Sequence, residues 1–401
     1  MCIRDSFWTA QFPTVFGRPF TPLAGGFFSV DPGDADPRQY PAGRIGCGEP
    51  PQSVANNAFY CPPSGDYPDG DAIQYDRSYL AQLADDHGPF IPALVMAHEF
   101  GHALQARVGY PGPSIAVETQ ADCFAGAWTQ WVASGQAQHS SIRAPELDQV
   151  LRGYLLLRDP VGTSGSEDQA HGSYFDRVSA FQEGFDSGAA ACRDDFGADR
   201  EYTQQAFTRD DDLLSSGNAG YAEVVGRFAP QGLPEFWTTV FTALGRHFDP
   251  PGLRGFAGTV PGCAGGSPGP DLVWCPDSGT VGYDQRDLTR PLYGDVGDYA
   301  VLTALAVPYA LAARDQLGRS TRGQSAVRSA VCLAGAFTQS VLAGESSTVS
   351  ISPGDVDESV RFLLEYGTQP SVLGDAGLTG FQLVDVFRGG VFGGPSACGL
   401  S

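Results

Sequence analysis

Five residues within a short stretch have the types and spacing for metal-assisted hydrolysis. His98 and His102 are four apart in His98-Glu99-Phe100-Gly101-His102. On a helix, residues four apart share a face, so both imidazoles can reach one ion. Glu99 projects beside them and can take a proton from a water activated by that ion. Zinc suits this set: it accepts imidazole nitrogen and carboxylate oxygen in tetrahedral geometry and leaves one position open. A third ligand is needed. Glu118 and Asp122 are again four apart, on a segment rich in apolar residues. A carboxylate pair on a packed helix is costly without partners. One completing the metal site, and the other holding a ligand histidine by hydrogen bond, satisfies both. Glu118 is assigned to the metal and Asp122 to the hydrogen bond, with the reverse left open. One zinc per chain is expected, in the first half only.

Two helices must position these groups. The spacing predicts a helix over 90–108, with Pro89 and Pro92 in or near its first turn and Gly109 followed by Pro111 at its end. A second helix is predicted over 114–134, with Val117, Ala121, Phe124, Ala125, Trp128 and Trp131 on its apolar face. Gly101 costs about 1 kcal/mol of helix propensity against Ala, which points to close backbone packing there.

The chain also resembles itself. FWTAQF from Phe7 matches FWTTVF from Phe236, and ADCFAGAWTQ around Cys123 matches AVCLAGAFTQ around Cys332. VSAFQEGFDSGAAAC closes on Cys192 and VDVFRGGVFGGPSAC on Cys398. The expected organisation is a domain over 7–200, a connector over 201–232 containing Arg209-Asp210-Asp211-Asp212, and a second copy over 233–401. In that copy His98 maps to Val307, Glu99 to Pro308, His102 to Leu311, Glu118 to Val327, Asp122 to Val331 and His171 to Gly377. The polar chemistry is gone while the Cys and Gly framework remains, so the second copy reads as metal-free. Pro308 is expected to kink or shorten its helix. The second lobe is expected to pack on the first as a pseudo-dimer, to extend the substrate groove, or to bind something else.

Setting aside Cys2, eight cysteines fall four to a half, which suggests two disulfides per half. The expected pairs are Cys47–Cys61, Cys123–Cys192, Cys263–Cys275 and Cys332–Cys398. Disulfides place the expected location outside the cytoplasm. Met1 to Ser6 reads as a scar fused to an interior fragment, so an export signal or anchor that preceded it is missing. The 401 residues carry 24 basic groups, all Arg, against 46 acidic ones, a formal charge of −22. That balance argues against nucleic acid or anionic lipid as a partner. No apolar run is long enough to span a membrane.

HEFGHALQ followed by VETQADCFAG resembles the bacterial neutral zinc metallopeptidase family, which carries HExxH and a downstream ExxxD in the manner of gluzincins. NAFYCPPSG at 56–64 with DAIQYD at 71–76 resembles that family's strand pair, and HGSYFDRVSAFQEGFDSG from His171 its C-terminal helix. The resemblance covers about residues 47–192. It implies an α+β, zincin-like fold, mainly helical with a small β element and here duplicated. It also implies His98, His102 and Glu118 on zinc with Glu99 as base. The chain departs from the family in lacking an N-terminal anchor and in having a second copy. His171 or Arg177 is a candidate to steady the oxyanion. His87 and His139 read as exposed loop residues and His247 as structural, while Tyr60 and Tyr75 either border a cleft or pack. The expected activity is hydrolysis of peptide bonds in a peptide or protein. Two alternatives stand beside it: a non-catalytic scaffold with two zincin-like lobes, and a cell-wall amide hydrolase.

Overall fold

The computed structural model describes residues 3–64, 70–197, 199–208, 217–259, 262–263, 266–374 and 376–400. The Arg209–Asp212 run lies outside them, as do Met1 and Cys2. The chain is mixed α+β, mainly helical with small sheets, and divides into two compact units. The first comprises 1–160 and 164–202, the second 161–163 and 203–401.

In the first unit, α1 (Ile3–Phe16) precedes β1 (Gly26–Val30), β2 (Ala58–Cys61) and β3 (Ala72–Asp76). Helices α2 (Arg77–His87), α3 (Ile91–Val108), α4 (Ser114–Ala133), α5 (Ala144–Leu157) and α6 (Tyr174–Asp194) follow. The sheet order is β1-β3-β2, with β1 parallel and β2 antiparallel to β3, so β2 is an edge strand. Asp76 ends β3 and caps α2, its carboxylate accepting from the N–H groups of Ser78 and Tyr79. Gly109, at φ 70°, ends α3 in the left-handed region, where glycine carries no Cβ penalty.

Glycines let the central helices touch. A Cβ on Gly101 of α3 would lie 2.7 Å from the Ala121 Cα of α4. One on Gly126 of α4 would lie 1.9 Å from the Phe181 carbonyl oxygen, and one on Gly184 of α6 1.8 Å from that of Cys123. Backbone cannot move aside as a side chain can. Gly126→Ala is therefore expected to destabilise the first unit by about 3 kcal/mol or more, the upper end of the overpacking range. Chemical denaturation of wild type and variant checks this.

The second unit contains α7 (Leu233–Ala243), β4 (Gly252–Phe256), β5 (Ser267–Pro268), β6 (Leu272–Cys275) and β7 (Thr280–Asp284). It continues with α8 (Asp298–Gln316), α9 (Gln324–Leu342), α10 (Asp355–Glu365) and α11 (Gly380–Ala397). Its sheet order is β4-β7-β6-β5, with β4 parallel and β6 antiparallel to β7. Gly335 of α9 and Gly390 of α11 make a backbone crossing like that of Gly126 and Gly184. All four expected cysteine pairs are joined, with Cα separations of 5.3 or 5.5 Å. No helix among the described residues is long and apolar enough to cross a membrane.

Three expectations are corrected here. Pro308 does not shorten its helix: α8 has 19 residues against 18 in α3 and runs unbroken through Pro308. The missing N–H is tolerated because α8 is buried nearly all round, and tertiary packing outweighs one lost hydrogen bond. His247 is not structural: its side chain is 86% exposed and lies 3.3 Å from Asp249, which is equally exposed. His87 is not in a loop: it is the half-buried last residue of α2.

Asp298, Asp355 and Glu358 lie together in the second unit, on the first turns of α8 and α10. Glu358 accepts from the N–H groups of Tyr299 and Ala300 and so caps α8. Burial, then repulsion from Asp298, raises its pKa to about 8. An unfolded Glu titrates near about 4.3, so between these values the native state holds the extra proton. Stability is then full below that lower value and falls as pH rises toward 8. Glu358→Gln is expected to flatten this decline, read as thermal midpoint against pH.

Candidate metal centre

Helix α3 presents His98 and His102 one turn apart, and α4 brings Glu118 to them. His98 Nε2 lies 3.1 Å from His102 Nε2 and 3.1 Å from Glu118 Oε2, and His102 Nε2 lies 3.4 Å from Glu118 Oε1. Donors held at about 2.0–2.2 Å in a tetrahedron stand about 3.3–3.6 Å apart, close to this triangle. These three residues could hold a metal ion.

The hydrogen bonds behind the rings say which atoms face the centre. His98 Nδ1 donates to Asp122 Oδ1 at 2.8 Å, because a carboxylate can only accept. His102 Nδ1 lies 2.9 Å from Gln105 Oε1. The Gln105 amide nitrogen donates to the Val117 carbonyl and to Gln120 Oε1, at 2.6 and 3.0 Å, so its oxygen must face His102 and accept. Both neutral rings therefore carry their proton on Nδ1 and turn bare lone pairs inward. Two lone pairs and a carboxylate converging on one point repel unless a cation or protons lie between them.

The same charges favour protons on the two rings. Burial lowers the His98 pKa, but the charges of Asp122 and Glu118 override it and raise it to about 10. His102 is also raised: burial and the charge of His98 lower it, but its hydrogen bond to Glu118 and the charges of Glu118 and Glu99 together outweigh them. Glu118 is pushed well below the carboxylate range, because both imidazoles outweigh its burial. A metal must displace these protons, since imidazole binds metal only when neutral. Metal affinity is therefore expected to rise about tenfold per pH unit for each proton displaced between pH 6 and 8. Isothermal titration in buffers of different ionisation enthalpy measures the protons released.

Asp122 is fully buried and bridges His98 to Arg177, whose Nε and Nη2 donate to it at 2.8 and 3.0 Å. Arg177 also donates to the Leu157 carbonyl and packs on Tyr154, 5.6 Å from the ring centre. Burial raises the Asp122 pKa, and the Arg177 and His98 charges more than reverse that, so it stays ionised. Arg177 also lines the cavity beside the centre. Its fork is engaged by Asp122, because a buried carboxylate needs that partner.

Glu99 is buried beside the centre, and its Oε2 accepts from the Tyr60 N–H of β2 at 2.9 Å. Burial raises its pKa. Glu99 lines a cavity of about 450 Å³ together with His98, His102, Glu118, Tyr60 and His171. His171 lies in the loop before α6 with its side chain 47% exposed, and its Nδ1 is 3.0 Å from Asp159 Oδ1. Asp159 Oδ2 also accepts from the His171 backbone N–H, so the loop and the ring are held by one carboxylate. Tyr60 lines the cavity, and its hydroxyl donates to Asp71 Oδ1 at 2.8 Å. Tyr75 pairs within the sheet and is not among the cavity-lining residues. His139 is exposed.

Sequence reasoning missed Gln105, Gln120 and Asp159. Gln105 is three residues beyond His102 and so shares its helix face, a signal that was available. Gln120 Nε2 donates to the Cys192 carbonyl at 3.0 Å, which carries the chain from His102 across to the Cys123–Cys192 bridge. Asp159 comes from a separate loop and left no local signal. In the second unit Val307, Leu311, Val327 and Val331 are buried apolar residues. There Arg314 donates to Ser329 Oγ at 2.7 Å, and Ser329 to the Cys398 carbonyl at 3.1 Å.

Among known proteins, the chain is similar to the uncharacterized protein Rv2575 of Mycobacterium tuberculosis (strain ATCC 25618 / H37Rv). The two are 28% identical over 39% of this chain and 61% of that one. It is also similar to the uncharacterized protein YpfJ of Escherichia coli (strain K12), at 29% identity over 38% of this chain and 58% of that one. The chain thus spans about three-fifths of the length of the curated relatives it matches. No family model and no solved structure matches it.

Proposed function

We propose that the first unit is a zinc-dependent peptidase of zincin-like fold, akin to the bacterial neutral zinc metallopeptidases its motifs resemble, and that the second unit is a metal-free copy of it. One observation carries the catalytic reading. Two imidazole nitrogens with inward lone pairs and a carboxylate converge beside a buried Glu99 that is not needed as a ligand. A structural metal site has no use for that base.

Bound at His98, His102 and Glu118, a zinc ion would polarise the scissile carbonyl and acidify a water. The chain's own groups do the rest. The Tyr60 N–H holds Glu99 Oε2, which leaves Oε1 to take the proton as the water oxygen attacks the carbonyl carbon. A raised pKa suits Glu99 to keep that proton and pass it to the nitrogen as the C–N bond breaks. In its doubly protonated form His171, whose Nδ1–H donates to Asp159, would offer a second N–H, at Nε2, to the developing oxyanion. The edge strand β2 offers backbone groups to an extended peptide.

The two-copy reading is supported by the matching strand pairings, glycine crossings and disulfides of the two units. Four disulfides suit an oxidising location outside the cytoplasm. The test combines zinc content per chain with cleavage of casein, before and after chelation. One zinc, with cleavage lost on chelation and restored by zinc, is the expected result. Bound zinc without cleavage of casein or of a mixed peptide library would overturn the peptidase reading and favour a structural site.

A further inference from the structure

The second unit contains a cavity of about 340 Å³ between α7, α9 and the C-terminal end of α11. Phe236, Val240, Leu244, Ser340 and Leu400 line it, and Glu235 and Glu345 stand among them. Its volume falls in the range of small-ligand sites.

The first unit shows what the same place holds when it is filled. Phe7-Trp8 of α1 corresponds to Phe236-Trp237 of α7 by the repeated FWT. Each pair meets edge to face with the same 70° interplanar angle, at 4.8 and 5.2 Å. On the partner helices, Trp128 corresponds to Phe337 and Trp131 to Ser340. In the first unit the Trp131 indole packs against Phe7 at 5.5 Å. In the second, Phe236 packs on Phe337 at 5.7 Å, and the position of the indole is taken by a serine whose hydroxyl donates to the Phe337 carbonyl. A large aromatic replaced by serine leaves a volume that helix backbones cannot close, because each is held by its other contacts.

We propose that this cavity binds the indole ring of a tryptophan side chain within a polypeptide partner. Shape selects the ring: the cavity opens beside Phe236 and Ser340, the positions that correspond to Phe7 and the Trp131 indole packed on it in the first unit. Charge selects the source. Glu235 is held as a carboxylate by hydrogen bonds from Ser346 and Ser347, which outweigh its slight burial, and Glu345 adds a second acidic group. Two carboxylates repel a C-terminal tryptophan and indole acids, and accept an indole borne on an uncharged or basic chain. An aromatic anchor in such a pocket is a common form of binding hot spot. The proposal rests on the two-copy reading and does not depend on peptidase activity.

The test uses the full chain with N-acetyl-5-fluorotryptophanamide, followed by fluorine NMR. Saturable binding with a Kd of about 1 mM or below is expected. At least tenfold weaker binding is expected for N-acetylleucinamide, read by competition, and for indole-3-acetate. Ser340→Trp should refill the cavity, abolish probe binding and leave the thermal midpoint unchanged or higher. Thr239→Phe on α7, which fills the cavity from another wall, should also abolish binding and serves if Ser340→Trp does not fold. No binding to wild type, or equal binding of the leucine analogue, overturns the proposal while the two-copy reading stands. A folded Ser340→Trp that still binds the probe overturns the correspondence of the two helix pairs, and the proposal with it.

Discussion

Glu99→Gln is expected to lower kcat for peptide cleavage by about 10²–10⁴ while leaving metal content unchanged. The amide keeps the shape of the carboxylate and its acceptor toward the Tyr60 N–H, so the pocket holds. What is lost is the basic oxygen that carries the proton from water to the leaving nitrogen. Glu99 is not one of the three converging donors, so zinc stoichiometry should match wild type. Steady-state kinetics with parallel metal analysis separates the two effects. A variant that loses its metal would make Glu99 a ligand, and one that keeps full activity would remove it from the reaction. The same measurement on His171→Ala should show a smaller fall in kcat, because an oxyanion donor on an exposed loop is one of several terms.

Asp122→Ala is expected to be the most damaging change to stability in the first unit. It leaves Arg177 with its charge buried and its two carboxylate bonds gone. Removing one partner of a buried pair costs about 3–5 kcal/mol. It also frees His98 Nδ1, so the ring loses its tautomer and orientation, and metal affinity should fall about 10–100-fold. Arg177→Met divides these consequences. It should lose comparable stability, because Asp122 is then the uncompensated charge, yet keep most of the metal affinity, because the His98–Asp122 bond survives. Urea unfolding and metal titration of both variants make the comparison. Equal affinity in wild type and Asp122→Ala would show that the carboxylate does not orient His98.

Much of the site was legible because helix periodicity alone brings it together. His98, His102, Glu118 and Asp122 are two pairs at four-residue spacing, and an α-helix puts each pair on one face whatever surrounds it. The division of labour between Glu118 and Asp122, open from spacing alone, follows from where the two helices cross. Gly101 against Ala121 sets Glu118 level with the Nε2 atoms and Asp122 level with His98 Nδ1. Arg177 read as a possible catalytic cation because its type suits an oxyanion. Its burial against Asp122 comes from α6 packing on α4, which no local pattern encodes. Pro308 shows the same limit from the other side: a strong local signal yielded to a helix enclosed on every face.

Residue type and period therefore determined the two site helices and the residues that could hold a metal ion, and anticipated the cysteine partners. These depend on interactions within about one helical turn, or on matching one half against the other. Tertiary structure alone decided which nitrogen of each histidine faces Glu118, that Gln105 and Gln120 fix His102, that Asp159 holds His171, and that a cavity opens beside Ser340. Each of these depends on groups brought together from distant segments by helix crossings and loop paths. Side-chain directions there are set by packing and by the need to satisfy buried charge, not by the spacing of residues along the chain.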